Sequence, residues 1–214
     1  MKYEAIIFDF DYTLADATWG ITESFNYALE KLGYTAQPVE KIRPTVGMVL
    51  ADVFKIFTNT DNEAVIEELK KYFKIKADEV MINKTSFFPD AVETLTYIKD
   101  KGIKTGIVSS KNRTRIHDFF KEQDALYLID KIIGFEDVSA HKPNPEGLNL
   151  IIESLAINKK VTLYAGDSII DAKAAGNADV DFVAVLNGTT SRDDFRNYKC
   201  VEVFDNLIQI EALV

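Results

Sequence analysis

The chain is short of the residues that staple a fold or anchor it elsewhere. Its single cysteine, Cys200, excludes an internal disulfide framework and a cysteine-based zinc site. Its two histidines, His117 and His141, lie far apart in sequence. Apolar runs such as Ala5-Ile6-Ile7-Phe8 fall far short of the roughly 20 residues of a membrane helix. Asp9 interrupts the first of them too early for a signal peptide. Basic residues are the minority, 25 against 34 acidic, for a net charge of −9. That balance argues against nucleic acid as a partner, while leaving room for a small cationic pocket. No G-x-G-x-x-G follows the first apolar run, no G-x-x-x-x-G-K-S/T occurs, and Ser109-Ser110 is not set in a G-x-S-x-G turn. Dinucleotide, P-loop and serine-hydrolase sites therefore lack their frames. The expectation is a cytoplasmic protein that binds no membrane and no nucleic acid, with an oligomeric state the sequence does not encode.

What is present is a core. Of 214 residues, 47% are hydrophobic, and a chain of this length buries roughly 70% of its unfolded surface. Short β-type runs alternate with helical periodicity, the pattern of a parallel sheet covered on both faces by helices. Tyr3 to Phe8, Ile103 to Ser109, Lys131 to Gly134, Val161 to Ala165 and Phe182 to Leu186 read as strands. They are apolar on successive residues, as strands buried on both faces must be. Residues 16–84 break the alternation with helical stripes alone: Ile21, Phe25, Leu29 and Leu32; Val46 to Phe57; and Val65, Ile66, Leu69 and Phe73. Gly33 is placed to end the first helix, and Thr60 with Glu63 suggests a capping box before the third. The expected organisation is an α/β core of residues 1–15 and 85–214, with an all-helical cap of residues 16–84 inserted.

Chemistry concentrates at strand ends. The first strand runs into Asp9-Phe10-Asp11-Tyr12-Thr13, whose two aspartates point to one side. Two close carboxylates suit a hard cation and a carboxylate nucleophile; a polar turn with local hydrogen bonds fits the same letters. After the strand ending at Ala165 comes Gly166-Asp167-Ser168-Ile169-Ile170-Asp171. There the reading from Asp167 onward is a helix, with Asp167 as N-cap and Asp171 one turn on. Such a pair either complements the helix dipole or completes an oxygen-only cation site, and Mg²⁺ suits few carboxylates and several waters. Ser109-Ser110 at the second strand end, followed by Lys111-Asn112, could hold phosphoryl oxygens or simply cap a helix. Lys142, on the proline-stiffened segment His141-Lys142-Pro143-Asn144-Pro145, is a candidate to neutralise a phosphoryl group.

Taken in order, Asp9-x-Asp11-x-Thr13, Ser109, Lys142 and Gly166-Asp167-Ser168-x-x-Asp171 resemble the motifs of the haloacid-dehalogenase superfamily of Mg²⁺-dependent phosphohydrolases. The helical insert is similar to the cap of its phosphoglycolate-phosphatase-like subgroup. The resemblance implies a Rossmann-like core and hydrolysis of a small phosphate monoester. It further implies that Asp9 forms an aspartyl-phosphate, and that Asp11 protonates the leaving oxygen and then activates water. Ser109, Ser110 and Lys142 would hold the phosphoryl group. Mg²⁺ would be bound by Asp9, the Asp11 main-chain carbonyl and Asp167, with Asp171 supporting directly or through water. Tyr12 stands where many relatives have glycine, and Ser110 where many have asparagine.

Asp11 disfavours dehalogenation, since halide leaves without a proton. A phosphonoacetaldehyde-type hydrolase resembles this architecture but uses an imine-forming cap lysine, and Gly47 to Asp52 supply none. Sugar phosphomutases of the β-phosphoglucomutase type resemble this chain in an acid like Asp16, but their cap histidine and arginine would fall at Ile21 and Leu50, both apolar. A pyrophosphatase role stays open. A non-catalytic binding module would be signalled by loss of Asp9 or Asp11, and both are present. Substrate choice is expected in the cap, near Trp19 and Tyr27 and at Arg43 and Gly47. Such a cap would close over the strand ends and exclude water.

Overall fold

The computed structural model describes residues 2–214. Its strands are β1 (Ala5–Phe8), β2 (Ala15–Asp16), β3 (Ser86–Phe87), β4 (Lys104–Val108), β5 (Lys131–Ile133), β6 (Thr162–Gly166), β7 (Asp181–Val185) and β8 (Glu202–Phe204). The principal helices are α1 (Thr18–Lys31), α2 (Val39–Ile42), α3 (Leu50–Thr58), α4 (Glu63–Val80), α5 (Ala91–Asp100), α6 (Arg113–Glu122), α7 (Glu146–Ser154) and α8 (Ile169–Ala178). Among the described residues, no helix is long and apolar enough to cross a membrane.

Six strands form one parallel sheet in the order β5-β4-β1-β6-β7-β8, and β2 pairs with β3 separately. The chain leaves β1 for β4 and β5 on one side, then crosses back to β6 on the other. That reversal opens a crevice at the carboxyl ends of β4, β1 and β6, where ligands bind in open α/β sheets. Both faces are buried, which explains the unbroken apolar runs. On β1, Ile6 and Phe8 pack into one layer with Leu95, Ile116 and Phe120, whereas Ile7 packs into the opposite layer with Ile151 and Ala175.

The chain divides into two compact units, residues 1–16 with 87–214, and residues 17–86. The second unit is helical. Its core joins Ile21, Phe25 and Leu29 of α1 to Val53 and Phe54 of α3 and to Ile66, Leu69 and Phe73 of α4. The Phe25 ring lies 5.1 Å from Phe54 and 4.8 Å from Phe73.

Several local expectations are corrected. The apolar stripe beginning at Val46 is not all helix, because Gly47 has φ of +91° and α3 starts only at Leu50. The third helix is capped by Asn62, whose side chain accepts from the Ala64 amide, and not by Thr60. Edge strand β8 was not expected; its exposed, intermediate and buried residues leave no apolar run to detect.

Phe120 is fully buried and meets three aromatic rings, with centroids 6.2 Å away in Phe10, 5.0 Å in Phe87 and 6.0 Å in Phe119. Phe120→Ala should lower the unfolding free energy by about 3–5 kcal/mol in urea denaturation.

Candidate active site

The loop after β1 is anchored at its middle. Phe10, between the two aspartates, is fully buried with its ring edge-on to Phe119 at 5.5 Å. The Phe10 carbonyl accepts from the amides of Thr13, Leu14 and Ala15, and the Tyr12 amide donates to the Ala15 carbonyl at 2.8 Å. This tight loop puts Tyr12 at φ of +61°, a region that favours glycine. Tyr12 thus holds a backbone conformation that glycine adopts more readily. The Asp9 amide extends the β1–β6 ladder by donating to the Ala165 carbonyl at 2.9 Å. Asp9 thus sits directly beside the exit of β6.

That exit is cut sharply. A side chain at Gly166 would begin 2.6 Å from the Cβ and Cγ of Asp171. Asp167 does not cap α8. Ser168 does: its hydroxyl accepts from the Asp171 amide, and the Asp171 carboxylate accepts in return from the Ser168 amide and hydroxyl. The correction has a physical reason, because this reciprocal box satisfies two amide donors at once. It releases Asp167 to the strand-end loop, where Thr13 Oγ1 donates to it at 3.4 Å. A side chain at Gly188 would begin 1.9 Å from Asp167 Oδ2, so the backbone after β7 forms the other wall.

Asp9, Asp167 and Asp171 are buried, and each offers one oxygen within 4.8 Å of the others. Lys142 Nζ lies among them, 2.6 Å from Asp171 Oδ1, 3.0 Å from Asp9 Oδ1 and 3.3 Å from Tyr164 Oη. Tyr164 Oη is also 2.8 Å from Asp171 Oδ1. Both Asp171 oxygens are therefore engaged. Asp9 Oδ1 differs: it is buried and ion-paired to Lys142 but makes no hydrogen bond. Three carboxylates gather beside one ammonium here, so positive charge is in short supply. Burial pushes Asp9 up from 3.8 to about 6 against the pull of Lys142, with Asp171 and Asp11 adding repulsion. Burial, then repulsion from Asp171 and Asp9, raises Asp167 as well. Lys142 loses some affinity for its proton through burial, but Asp171 and Asp9 more than restore it. An all-oxygen donor set with an unsatisfied buried oxygen and surplus negative charge fits a hard divalent cation.

The Asp11 side chain is not in this group; it is bound by Lys111. Ser109, Ser110 and Lys142 line one small cleft with Gly134, Ala140 and His141. The Ser109 amide is used in donating to the Ile133 carbonyl, and its hydroxyl accepts from the Lys111 amide at 3.3 Å. His141 stacks on Phe135 with centroids 4.0 Å apart, and burial lowers its pKa. His117 pairs with neighbouring Asp118 on the surface of α6. Arg43 and Gly47 belong to the helical unit, Arg43 half-buried in a 3₁₀ turn and Gly47 at the left-handed kink before α3.

Sequence reasoning gave no role to Tyr164, Gly188 or Lys111. Tyr164 is one more apolar-looking letter in a strand, and Gly188 is informative only once Asp167 is placed beside it. Lys111 carried a faint signal, a cation two residues past a strand-end hydroxyl.

Comparison with known proteins gives a consistent result. The family described as haloacid dehalogenase-like hydrolase matches residues 6–185. A phosphoglycolate phosphatase from Psychrobacter arcticus is 27% identical, covering 96% of this chain and 93% of its own. Pyrophosphatase PpaX from Oceanobacillus iheyensis is 26% identical, covering 98% and 97%. A crystal structure from Bacteroides fragilis, attributed to a haloacid dehalogenase-like hydrolase, superposes with a TM-score of 0.94 at 39% identity over 97% of this chain and 99% of that one.

Because folding raises the Asp9 pKa, the stability Asp9 contributes is complete below pH 4 and is lost as pH rises through 6. In chelator, wild type should lose about 2 kcal/mol relative to Asp9→Asn between pH 4 and pH 7, read by urea denaturation at each pH.

Proposed function

Because the chain belongs to the haloacid dehalogenase-like hydrolase family, we propose that it is a Mg²⁺-dependent phosphatase acting on a small phosphate monoester through an aspartyl-phosphate. One observation carries the reading: the buried group of Asp9, Asp167 and Asp171 around Lys142, at the strand ends beside the cleft of Ser109 and Ser110.

In this reading an Asp9 carboxylate oxygen attacks phosphorus while the bond to the ester oxygen breaks. Asp11 gives that leaving oxygen its proton. Asp11, now a carboxylate, takes a proton from the water that attacks phosphorus next, and the bond to Asp9 breaks to release phosphate. Lys142, the Ser109 hydroxyl and the backbone around Ser110 hold the phosphoryl oxygens, a task of positioning and charge neutralisation. Asp9, Asp167 and the Asp11 main-chain carbonyl would hold Mg²⁺, with Asp171 acting through water because its oxygens are already engaged. When bound, the ion supplies the positive charge that lets an anionic nucleophile approach an anionic phosphate.

Hydrolysis is favoured over phosphomutase chemistry by the two positions that would need a histidine and an arginine. Ile21 is buried in the helical core and Leu50 packs against it. Arg43 and Gly47 are proposed contacts to the rest of the substrate. The names of the relatives make phosphoglycolate and inorganic pyrophosphate the first compounds to try.

A panel of phosphate monoesters plus pyrophosphate, assayed for released phosphate with Mg²⁺, tests the reading. Asp9→Asn should abolish turnover, and Asp11→Asn should lower it by roughly 10²- to 10⁴-fold. Turnover that survives Asp9→Asn would remove the nucleophile assignment. Gly188→Ala should displace Asp167 and weaken Mn²⁺ binding by roughly 10- to 100-fold, measured directly by electron paramagnetic resonance.

A further inference from the structure

Lys111 stands between the end of β4 and the start of α6, two residues after Ser109. Its ammonium donates to both oxygens of Asp11, at 2.9 and 3.1 Å. It also lies 5.4 Å from the centre of the Phe10 ring. The two side chains are 7% and 11% exposed. Solvent and salt weaken such a pair far less than an open surface bridge. Phe10 is itself clamped against Phe119 and Phe120, so the ring beneath the ammonium is a fixed floor. The other buried lysine of the site, Lys142, is committed to Asp9, Asp171 and Tyr164. The two cations thus serve different carboxylates.

We infer that Lys111 is a positioning residue that orients the Asp11 carboxyl for proton delivery to the leaving group. The inference rests on the phosphatase reading, in which Asp11 is the acid. An ammonium bonded to both oxygens fixes the plane of the carboxyl group. When one contact is released the other remains, so Lys111 grips one oxygen while the second faces the leaving oxygen. The proton passes from that second oxygen to the ester oxygen as the phosphorus–oxygen bond breaks and the bond from Asp9 to phosphorus forms. Lys111 keeps all of its protons throughout. Without it, the short Asp11 side chain is free to rotate about χ1 and χ2, and the proton arrives off-line.

The demand for this proton depends on the leaving group. An alkoxide needs it, whereas nitrophenolate departs nearly unaided. The experiment therefore measures kcat/KM for glycerol phosphate and for p-nitrophenyl phosphate on the same preparation of wild type, Lys111→Met, Lys111→Arg and Asp11→Asn. Taking the ratio of the two substrates cancels any inactive fraction. Lys111→Met should lower the alkyl-to-aryl ratio by roughly 10- to 100-fold. Lys111→Arg should restore most of it, since a guanidinium also grips both carboxylate oxygens. A ratio unchanged in Lys111→Met overturns the inference, whether both activities fall together or neither falls. If the ratio drops in Asp11→Asn but not in Lys111→Met, the inference alone fails. If it holds in Asp11→Asn, or if wild type releases phosphate from neither ester nor from any other compound of the panel, the phosphatase reading fails and the inference with it.

Discussion

Three buried carboxylates gathered around the ammonium of Lys142 create a standing excess of negative charge, and much of the core unit is arranged to tolerate it. Burying charge is costly unless it is paired and hydrogen-bonded. Asp171, with no exposed surface, answers that cost by recruiting Lys142, Tyr164 and Ser168. Asp9 receives less: one ion pair, and one oxygen without a hydrogen bond. The unequal treatment separates a carboxylate that is held at both oxygens from one that keeps an oxygen without a hydrogen bond, although both are aspartates within reach of the same lysine.

The glycines on either side enforce that arrangement through shape. Gly166 leaves room for Asp171 beneath the strand end, and Gly188 leaves room for Asp167 against the loop after β7. Neither contributes a charge. Each removes a Cβ that would occupy the place of a carboxylate, so the spacing of the acidic group is set as much by missing atoms as by present ones.

The fold was legible because burial on both faces writes itself into a strand as an unbroken apolar run, as in Ala5–Phe8 and residues 163–165. The acidic residues were legible because they follow those runs immediately. What the letters hid was local competition and long-range contact. Asp167 and Ser168 are both good cap residues, and the structure chooses Ser168 because Asp171 can reciprocate. Asn62 prevails over Thr60 through its bond to the Ala64 amide. The pairing of Lys111 with Asp11 spans 100 positions, and no periodicity reports a contact of that separation.

The strand order also decides when the charges meet. β1 lies between β4 and β6, and β6 is made about 150 residues after it by position in the chain. Domains emerge from synthesis amino-terminus first, and pairings this remote close late because their loop entropy is lost before contacts form. Repulsion of Asp9 by Asp171 therefore begins only when β6 and the loop after it come to lie beside β1. The electrostatic penalty falls on the docking of β6 beside β1, so any counter-ion that eases it acts where the two halves of the sheet are joined, as a clasp between them.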